Sequence, residues 1–505
     1  MFRKILIANR GEIACRIIRT CQRMGIKTVA VYSQADENAL HARLADEAHY
    51  LGASAPKESY LHSAKILQIA RDTSTEAIHP GYGFLSQSPA FARECEESGI
   101  CFIGPKADVM QLLGDKLEAR KLAKKARVDV LPGTDYEVDA ASAKDAAGEV
   151  GFPLMIKAAE GGGGIGIYAV QSMDQLMPLM ERASQTVEKS FGSSRLYFER
   201  QLEDASHIEV QIIGDEYGNV IHLHERDCSI QRRNQKVIEE TPAVRLTEPL
   251  RRKICNLAVR FARFVKYSNA GTVEFLVSGD GQIYFLEINT RLQVEHGVTE
   301  LVTGVDLVEL QLRIAAGEHL LLCQKDIKAK GHAIEARIYP EDPETFLPDV
   351  GTITELHEPS GEHVRVDSAL WPGYKVLLDY ESLLAKVMAS GESREEAIDR
   401  LLEALLNFRI EGVKCNIPLL RDVLMSPDFR AATHDTGFLA DWMKQRKEQS
   451  DREVAAAIGT AVALAFQFQT KSGLSVLANS NPWREEGRRA QTAPFVRRGW
   501  GRSNW

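Results

Sequence analysis

Two glutamates, Glu274 and Glu287, lie equidistant from an Asp280-Gly281 pair set between two apolar runs. Asp-Gly flanked by hydrophobic segments is a strong hairpin signal. A two- or four-residue loop centred there sets position 274 opposite position 287. Like charges so placed destabilise a sheet unless a cation or proton comes between them. Asn289 lies two residues on and shares the face of Glu287. Carboxylate and amide oxygens on one face suit Mg²⁺ bridged to a triphosphate. The alternative, two solvated surface carboxylates, is disfavoured because both flanking runs are rich in Val, Phe, Ile and Leu.

A second feature is Gly161-Gly162-Gly163-Gly164-Ile165-Gly166, directly after an apolar run. Glycines fill no space and cost entropy, so packing does not explain them. They let backbone N–H groups approach an anion closely. A Walker A loop needs Lys-Ser or Lys-Thr after Gly166, and Ile167-Tyr168 stands there instead. A mobile lid over nucleotide phosphates fits better, with Lys157 on the preceding strand placed to meet phosphate oxygens.

The densest polar run is Glu287-Ile288-Asn289-Thr290-Arg291-Leu292-Gln293-Val294-Glu295-His296. If it is extended, Arg291, Gln293 and Glu295 share one face. Arginine and glutamine can hold a small planar oxyanion, and an adjacent carboxylate can take its proton. Downstream, Arg337 stands among hydrophobes in a strand-like run. As a lone arginine there it reads equally as a structural ion-pair partner or a site residue.

The elements that must position these groups come from hydrophobic periodicity. Residues 4–8, 28–32 and a third strand near 77–78, with a helix over 12–24, predict alternating strands and helices and hence a parallel sheet. A helix over 116–126 and strands near 153–159, 195–199, 207–213 and 220–225 suggest a separate α+β block. Further strands are expected over 271–277, 282–289 and 331–340. The fold class expected is α/β and α+β. The chain has 505 residues, enough for about three domains and a large core. Lys and Arg number 62 against 70 Asp and Glu, a net charge of −8 that gives no footprint for nucleic acid. Eight scattered cysteines lack C-x-x-C spacing and read as small buried hydrophobes. No apolar stretch reaches bilayer length, and no signal peptide is visible, so the chain reads as cytoplasmic.

Residues 1 to about 446 resemble the biotin carboxylase component of biotin-dependent carboxylases, an ATP-grasp family. The resemblance is carried by Lys4-Ile5-Leu6-Ile7-Ala8-Asn9-Arg10-Gly11-Glu12-Ile13-Ala14, His79-Pro80-Gly81-Tyr82-Gly83-Phe84-Leu85-Ser86 and Phe102-Ile103-Gly104-Pro105. Glu225-Arg226-Asp227-Cys228-Ser229-Ile230-Gln231-Arg232-Arg233-Asn234-Gln235-Lys236 and the polar run from Glu287 extend it. The resemblance implies an N-terminal domain over 1–115, an ATP-grasp domain over 116–330 with a lid over about 132–203, and a C-terminal domain over 331–446. It implies that ATP activates bicarbonate to carboxyphosphate and that CO₂ passes to N1 of biotin. Lys116, Lys157, Gly163, Gly164, Glu199, Arg200, Gln201, Leu202, His207, Gln231, Asn234, Glu274 and Glu287 match nucleotide-binding positions. Glu274, Glu287 and Asn289 match ligands of Mg²⁺ or Mn²⁺, as two ions. Lys236, Arg291, Gln293 and Val294 match the bicarbonate site, Glu295 the base, and Tyr82 and Arg337 the biotin site. Implied partners are a second copy of the chain, a biotin carboxyl carrier protein and a carboxyltransferase subunit.

The chain departs from the family pattern at several positions. Ile165 stands for a usual Lys or Arg, Ile167 for Met, Gln87 for a glutamate, Gly297 for a proline and Glu381 for an aspartate. Residues 447–505 resemble the start of a linker found in larger acyl-CoA carboxylase chains. They combine a charged run, an Ala-rich stretch and six arginines, at 484, 488, 489, 497, 498 and 502. No Ala-Met-Lys-Met biotin-attachment motif occurs, so biotin is expected on a separate carrier. The final acceptor is open between acetyl-CoA, propionyl-CoA, another acyl-CoA and pyruvate. Two rival functions are a non-catalytic partner that retains the fold and an ATP-grasp carboxylate–amine ligase.

Overall fold

The computed structural model describes residues 1–161 and 164–471. Within it, residues 1–440 form one compact unit and the chain from Asp441 a second. The first unit opens with β1 (Lys4–Ile7), β2 (Lys27–Ser33), β3 (Glu47–Gly52), β4 (Ala77–His79) and β5 (Cys101–Phe102). They form a parallel sheet in the order β3-β2-β1-β4-β5. The helix Gly11–Arg23 packs Ile13, Ile17, Ile18 and Cys21 into the core at helical spacing. The run at 77–78 is the fourth strand, not the third. The strand passed over, β3, lies at a sheet edge, where Ala48 and Tyr50 are exposed and Glu47 and His49 half-buried, so it shows neither an apolar run nor a polar-out alternation.

Next come β6 (Leu154–Ala158), β7 (Tyr168–Val170) and β8 (Leu196–Arg200), a small antiparallel sheet in the order β7-β6-β8. The helices Ala143–Val150 and Met173–Phe191 cover it, with Leu176, Met180, Ala183 and Val187 turned inward. This sheet carries the glycine-rich loop between β6 and β7.

The rest of the first unit is built on β9 (Ser206–Gly214), β10 (Val220–Arg232), β11 (Gln235–Thr241), β12 (Asn269–Val277), β13 (Ile283–Asn289) and β14 (His332–Ile338). The chain continues through β15 (Gly351–Thr352), β16 (Glu355–His357), β17 (Val364–Ser368), β18 (Lys375–Val376), β19 (Ala385–Gly391) and β20 (Arg409–Glu411). Eight of these strands form one antiparallel sheet in the order β13-β12-β9-β10-β11-β14-β19-β17. The sheet therefore runs across residue 331, joining β11 to β14 from Ile238↔Ala336 to Thr241↔Ala333. Phe275, Phe285, Ile254 and Phe261 seal its outer face against the helix Glu248–Phe264.

Five of the eight cysteines are buried, as expected of small hydrophobes, whereas Cys323 is exposed. Residues 438–471 form one helix. No helix among the described residues is long and apolar enough to cross a membrane. The arginines beyond residue 471 lie outside the described residues.

Candidate active site

The β12–β13 register pairs Glu274 with Glu287, as the hairpin signal predicts. The loop is different. Val277 pairs with Ile283, so five residues separate the strands, and a bulge between Glu274 and Phe275 restores the register. The two carboxylates are kept apart by different cations. Glu287 takes Lys116 Nζ at 3.1 Å. Glu274 Oε1 accepts from Lys236 at 3.1 Å and from Asn289 and Gln293 at 2.8 Å. Its Oε2 lies 3.0 Å from His207 Nε2. Burial alone would raise the Glu274 pKa, but Lys236 and His207 hold it well below the usual carboxylate range.

Lys236 is the hub. Its ammonium donates to Glu209, to Glu274 and, at 2.6 Å, to Glu295. Glu295 also accepts from Arg337 Nη2 at 2.9 Å, and Arg337 Nε donates to Glu239 at 2.6 Å. Burial would push Glu295 up, yet Lys236, Arg337 and Arg226 hold it well below its ordinary value. A carboxylate so held is a poor base until an incoming anion draws Lys236 away from it.

The run Arg291 to Glu295 is not an extended strand, contrary to the alternation argument. It is a loop that turns into the helix His296–Thr303, and Glu295 has φ −81° and ψ 15°. The groups still converge because the chain wraps round the end of β13. Arg291 Nη1 donates to Gln293 Oε1 at 2.7 Å, and Nη2 to Asn289 Oδ1 at 3.1 Å. Arg291 Nε donates to Gln87 at 2.9 Å. The Val294 carbonyl accepts from Lys386 at 2.7 Å.

The residues expected round a nucleotide divide into two sets. His207 and Gln231 meet at 2.9 Å, beside Glu274. Asn234 sits in the two-residue β10–β11 turn with Arg233, both at positive φ, and a Cβ built on Gly164 would stand 3.0 Å from that of Asn234. The glycine loop thus reaches the turn. Gly163 lies outside the described residues. Lys157, expected at the phosphates, is paired with Glu199, which also takes Arg120 in a buried triad. Arg200 donates to the Val150 carbonyl at 3.3 Å and Gln201 accepts from Gln171 at 3.3 Å, so both side chains turn to the lid. The Leu202 side chain is half-buried. The Tyr82 hydroxyl is engaged by Glu12, and the ring lies 6.0 Å from Lys386.

Glu209, Arg226 and Glu239 belong to the site without having been expected there. Glu209 and Gln211 alternate with apolar residues after His207 on β9, a signal that the sequence does contain. Arg226 donates to Glu209 and to Gln211 and Thr299, locking the buried carboxylate that faces Lys236. Glu239 carries no local signal, since its partner lies 98 residues away.

A small lid sheet closing on an antiparallel sheet whose inner face gathers ammonium, guanidinium and carboxylate groups defines an ATP-grasp enzyme. Models of known families match residues 1–110 as the biotin carboxylase N-terminal domain, 115–323 as the carbamoyl-phosphate synthase L chain ATP-binding domain, and 335–441 as the biotin carboxylase C-terminal domain. The chain is 49% identical over 445 residues to the biotin carboxylase of Halalkalibacterium halodurans, covering 88% of this chain and 98% of the relative. It is 48% identical over 440 residues to biotin carboxylase 2 of Bacillus subtilis, covering 87% and 99%. Among solved structures, the biotin carboxylase domain dimer of Hydrogenobacter thermophilus 2-oxoglutarate carboxylase, in complex with MgADP, ADP and bicarbonate, is 46% identical. It covers 87% of this chain and 98% of its own, with a TM-score of 0.86. The chain belongs to the biotin carboxylase family. Relatives of similar identity are named for different carboxyl acceptors, pyruvate, 2-oxoglutarate and propionyl-CoA, so the likeness follows the biotin half-reaction and not the acceptor.

Proposed function

We propose that this chain uses ATP to activate bicarbonate and transfers the carboxyl group to N1 of biotin. The observation that carries the reading is that Lys236 and Arg337 meet on one carboxylate, Glu295. Lys236, Arg291, Gln293 and the Val294 backbone hold bicarbonate. As bicarbonate takes the ammonium of Lys236, Glu295 loses a cation, its pKa rises, and it can accept the bicarbonate proton. The resulting dianion attacks the γ-phosphorus as the bond to ADP breaks. Carboxyphosphate then splits into CO₂ and phosphate, and the released phosphate takes the N1 proton of biotin. Arg337, facing the ureido oxygen, stabilises the enolate whose N1 attacks CO₂, with Tyr82 at the edge of the same site.

Lys116, His207, Gln231, Asn234 and the backbone of Glu199 to Leu202 hold the nucleotide, with Gly163 and Gly164 of the lid above its phosphates. Lys157, paired with Glu199, belongs to the same nucleotide set. Glu274, Glu287 and Asn289 fit Mg²⁺ or Mn²⁺ because they offer two paired carboxylates and an amide oxygen at one end of the β12–β13 ladder, where a metal would replace Lys116 and Lys236 as the counter-charge. The metal, as two ions, would neutralise the triphosphate. We assign the ATP-binding part to residues 116–330, with the flanking segments 1–115 and 331–446 completing the site. The partners are a biotinylated carrier, a carboxyltransferase and a second copy of the chain. ADP release that requires bicarbonate and rises with free biotin tests the reading. ATP binding without biotin-dependent turnover would favour a non-catalytic partner.

A further inference from the structure

The face of β14 that carries Arg337 also carries Glu335, two residues earlier. Glu335 is fully buried, and neither of its carboxyl oxygens has a hydrogen-bond partner. Directly across the ladder stands Glu239 of β11, also fully buried. Glu239 accepts from Arg337 through Oε1, while its Oε2 has no partner. Three carboxyl oxygens of two opposed side chains therefore lack a donor inside the sheet.

The charges around them do not balance. Glu335 is faced by Arg337 on its own strand, Glu239 on β11, Lys386 on β19 and Glu295 before the helix His296–Thr303. Lys386 is committed elsewhere: to the Val294 carbonyl, to Glu12 at 3.3 Å and to Asp367 at 3.7 Å. Arg337 is divided between Glu239 and Glu295. Among the described residues, no cation within ion-pair distance remains for Glu335. Facing carboxylates in a dry sheet cannot both ionise without a large cost, whereas a single proton between them supplies the missing donor.

We propose that Glu335 is a neutral carboxylic acid whose hydroxyl donates to Oε2 of Glu239, and that this bond holds Glu239 in the position from which it aligns Arg337. Glu335 is thus a positioning residue. The proposal rests on the reading of Arg337 as the partner of biotin. Burial and the facing carboxylates push the Glu335 pKa well above the usual range, in agreement.

The test compares Glu335→Gln with Glu335→Ala in the 505-residue chain. An amide can donate to Glu239 as the neutral acid does, so Glu335→Gln is expected to keep carboxylation of free biotin within about threefold of wild type, and Glu335→Ala to lose roughly tenfold. Bicarbonate-dependent ATP cleavage without biotin should be spared in both. Wild-type biotin turnover should fall at alkaline pH, where Glu335 loses its proton, and that fall should be absent in Glu335→Gln. Infrared difference spectra should contain a neutral carboxyl band in wild type that Glu335→Gln lacks. A Gln variant as impaired as the Ala variant, or spectra without that band, would overturn the proposal. If Glu335→Ala does not fold, Glu335→Gln and the infrared band decide. Full biotin carboxylation in Arg337→Ala would instead sink the reading of Arg337, and the infrared result would stand apart from it.

Discussion

Arg291 donates from Nε to the side-chain oxygen of Gln87, 204 residues away, at 2.9 Å. A neutral acceptor orients the guanidinium and leaves its charge for an anion. The family pattern places a glutamate at this position, which would draw part of that charge to itself. Gln87→Glu is expected to raise the KM for bicarbonate about twofold to threefold at low salt, less at high salt, with the KM for ATP unchanged. Initial rates against bicarbonate at saturating ATP decide; an unchanged or lower KM counts against it.

Glu295 and Arg337 touch, yet their substitutions should separate. Glu295→Gln removes the proton acceptor and should cut bicarbonate-dependent ATP cleavage by at least ~100-fold, with nucleotide affinity near normal. Arg337→Ala should spare much of that cleavage and abolish carboxybiotin. Parallel assays of ADP and of labelled carboxybiotin read the two steps. Loss of ATP binding in Glu295→Gln would point to a structural role instead.

Ile165 is 43% exposed, so packing does not claim it. A lysine there could reach a phosphate once the lid closes over the nucleotide. Ile165→Lys should lower the KM for ATP by up to about tenfold and leave the Arg337-dependent step untouched. Titration of ATP at fixed bicarbonate and biotin checks this, and an unchanged or higher KM rejects it.

The parts of the site legible in the sequence are those set by local geometry. Asp280-Gly281 points to the Glu274–Glu287 pairing, although the five-residue loop and the bulge at Glu274 offset one another to produce it. The polar run from Arg291 to Glu295 is legible as a set but not as a shape, since alternation cannot distinguish a strand from a loop wrapping a sheet end. Glu239 and Glu335 are invisible because their meaning comes from a strand pairing between β11 and β14 across nearly a hundred residues. In the fold, β1 and β2 show strong apolar runs, whereas β3 lies at an edge and has none.

Glu240 of β11 anchors a second buried network. It accepts from His332 Nε2 at 2.6 Å and from Arg394 at 2.7 and 3.0 Å. Burial would raise its pKa, but these partners bring it from 4.5 to about 2. A carboxyl depressed on folding stabilises fully above its unfolded value, and that stability is lost as pH falls from 4.5 through about 2. At about 1.4 kcal/mol per unit, roughly 3 kcal/mol is involved. Glu240→Gln should be less stable than wild type by about this amount near pH 7, and the gap should narrow on acidification below about pH 4.5. Urea titrations across that range test it; a constant gap contradicts the assignment.

Gly297 lies in the first turn of the helix His296–Thr303, where proline is tolerated and is the family's usual residue. Here a Cβ would stand 2.3 Å from the Met388 sulfur. Gly297→Pro alone should destabilise by about 1–3 kcal/mol through overpacking. Adding Met388→Ala should recover much of that, a coupling that a double-mutant cycle measures. Additive losses would show that the two positions do not compensate one another.

The sheet that runs through residue 331 makes the chain divisible in an unusual way. A break between 330 and 331 leaves Lys236, Glu239 and Glu295 on one fragment and Glu335, Arg337 and Lys386 on the other. Each half would display one edge of the β11–β14 ladder, unpaired and complementary to the other half. Neither half holds both Arg337 and Glu295, so neither alone should make carboxybiotin. Brought together by fused binding partners, the halves would form a logical AND gate, with carboxybiotin as the signal that two tethered proteins have met.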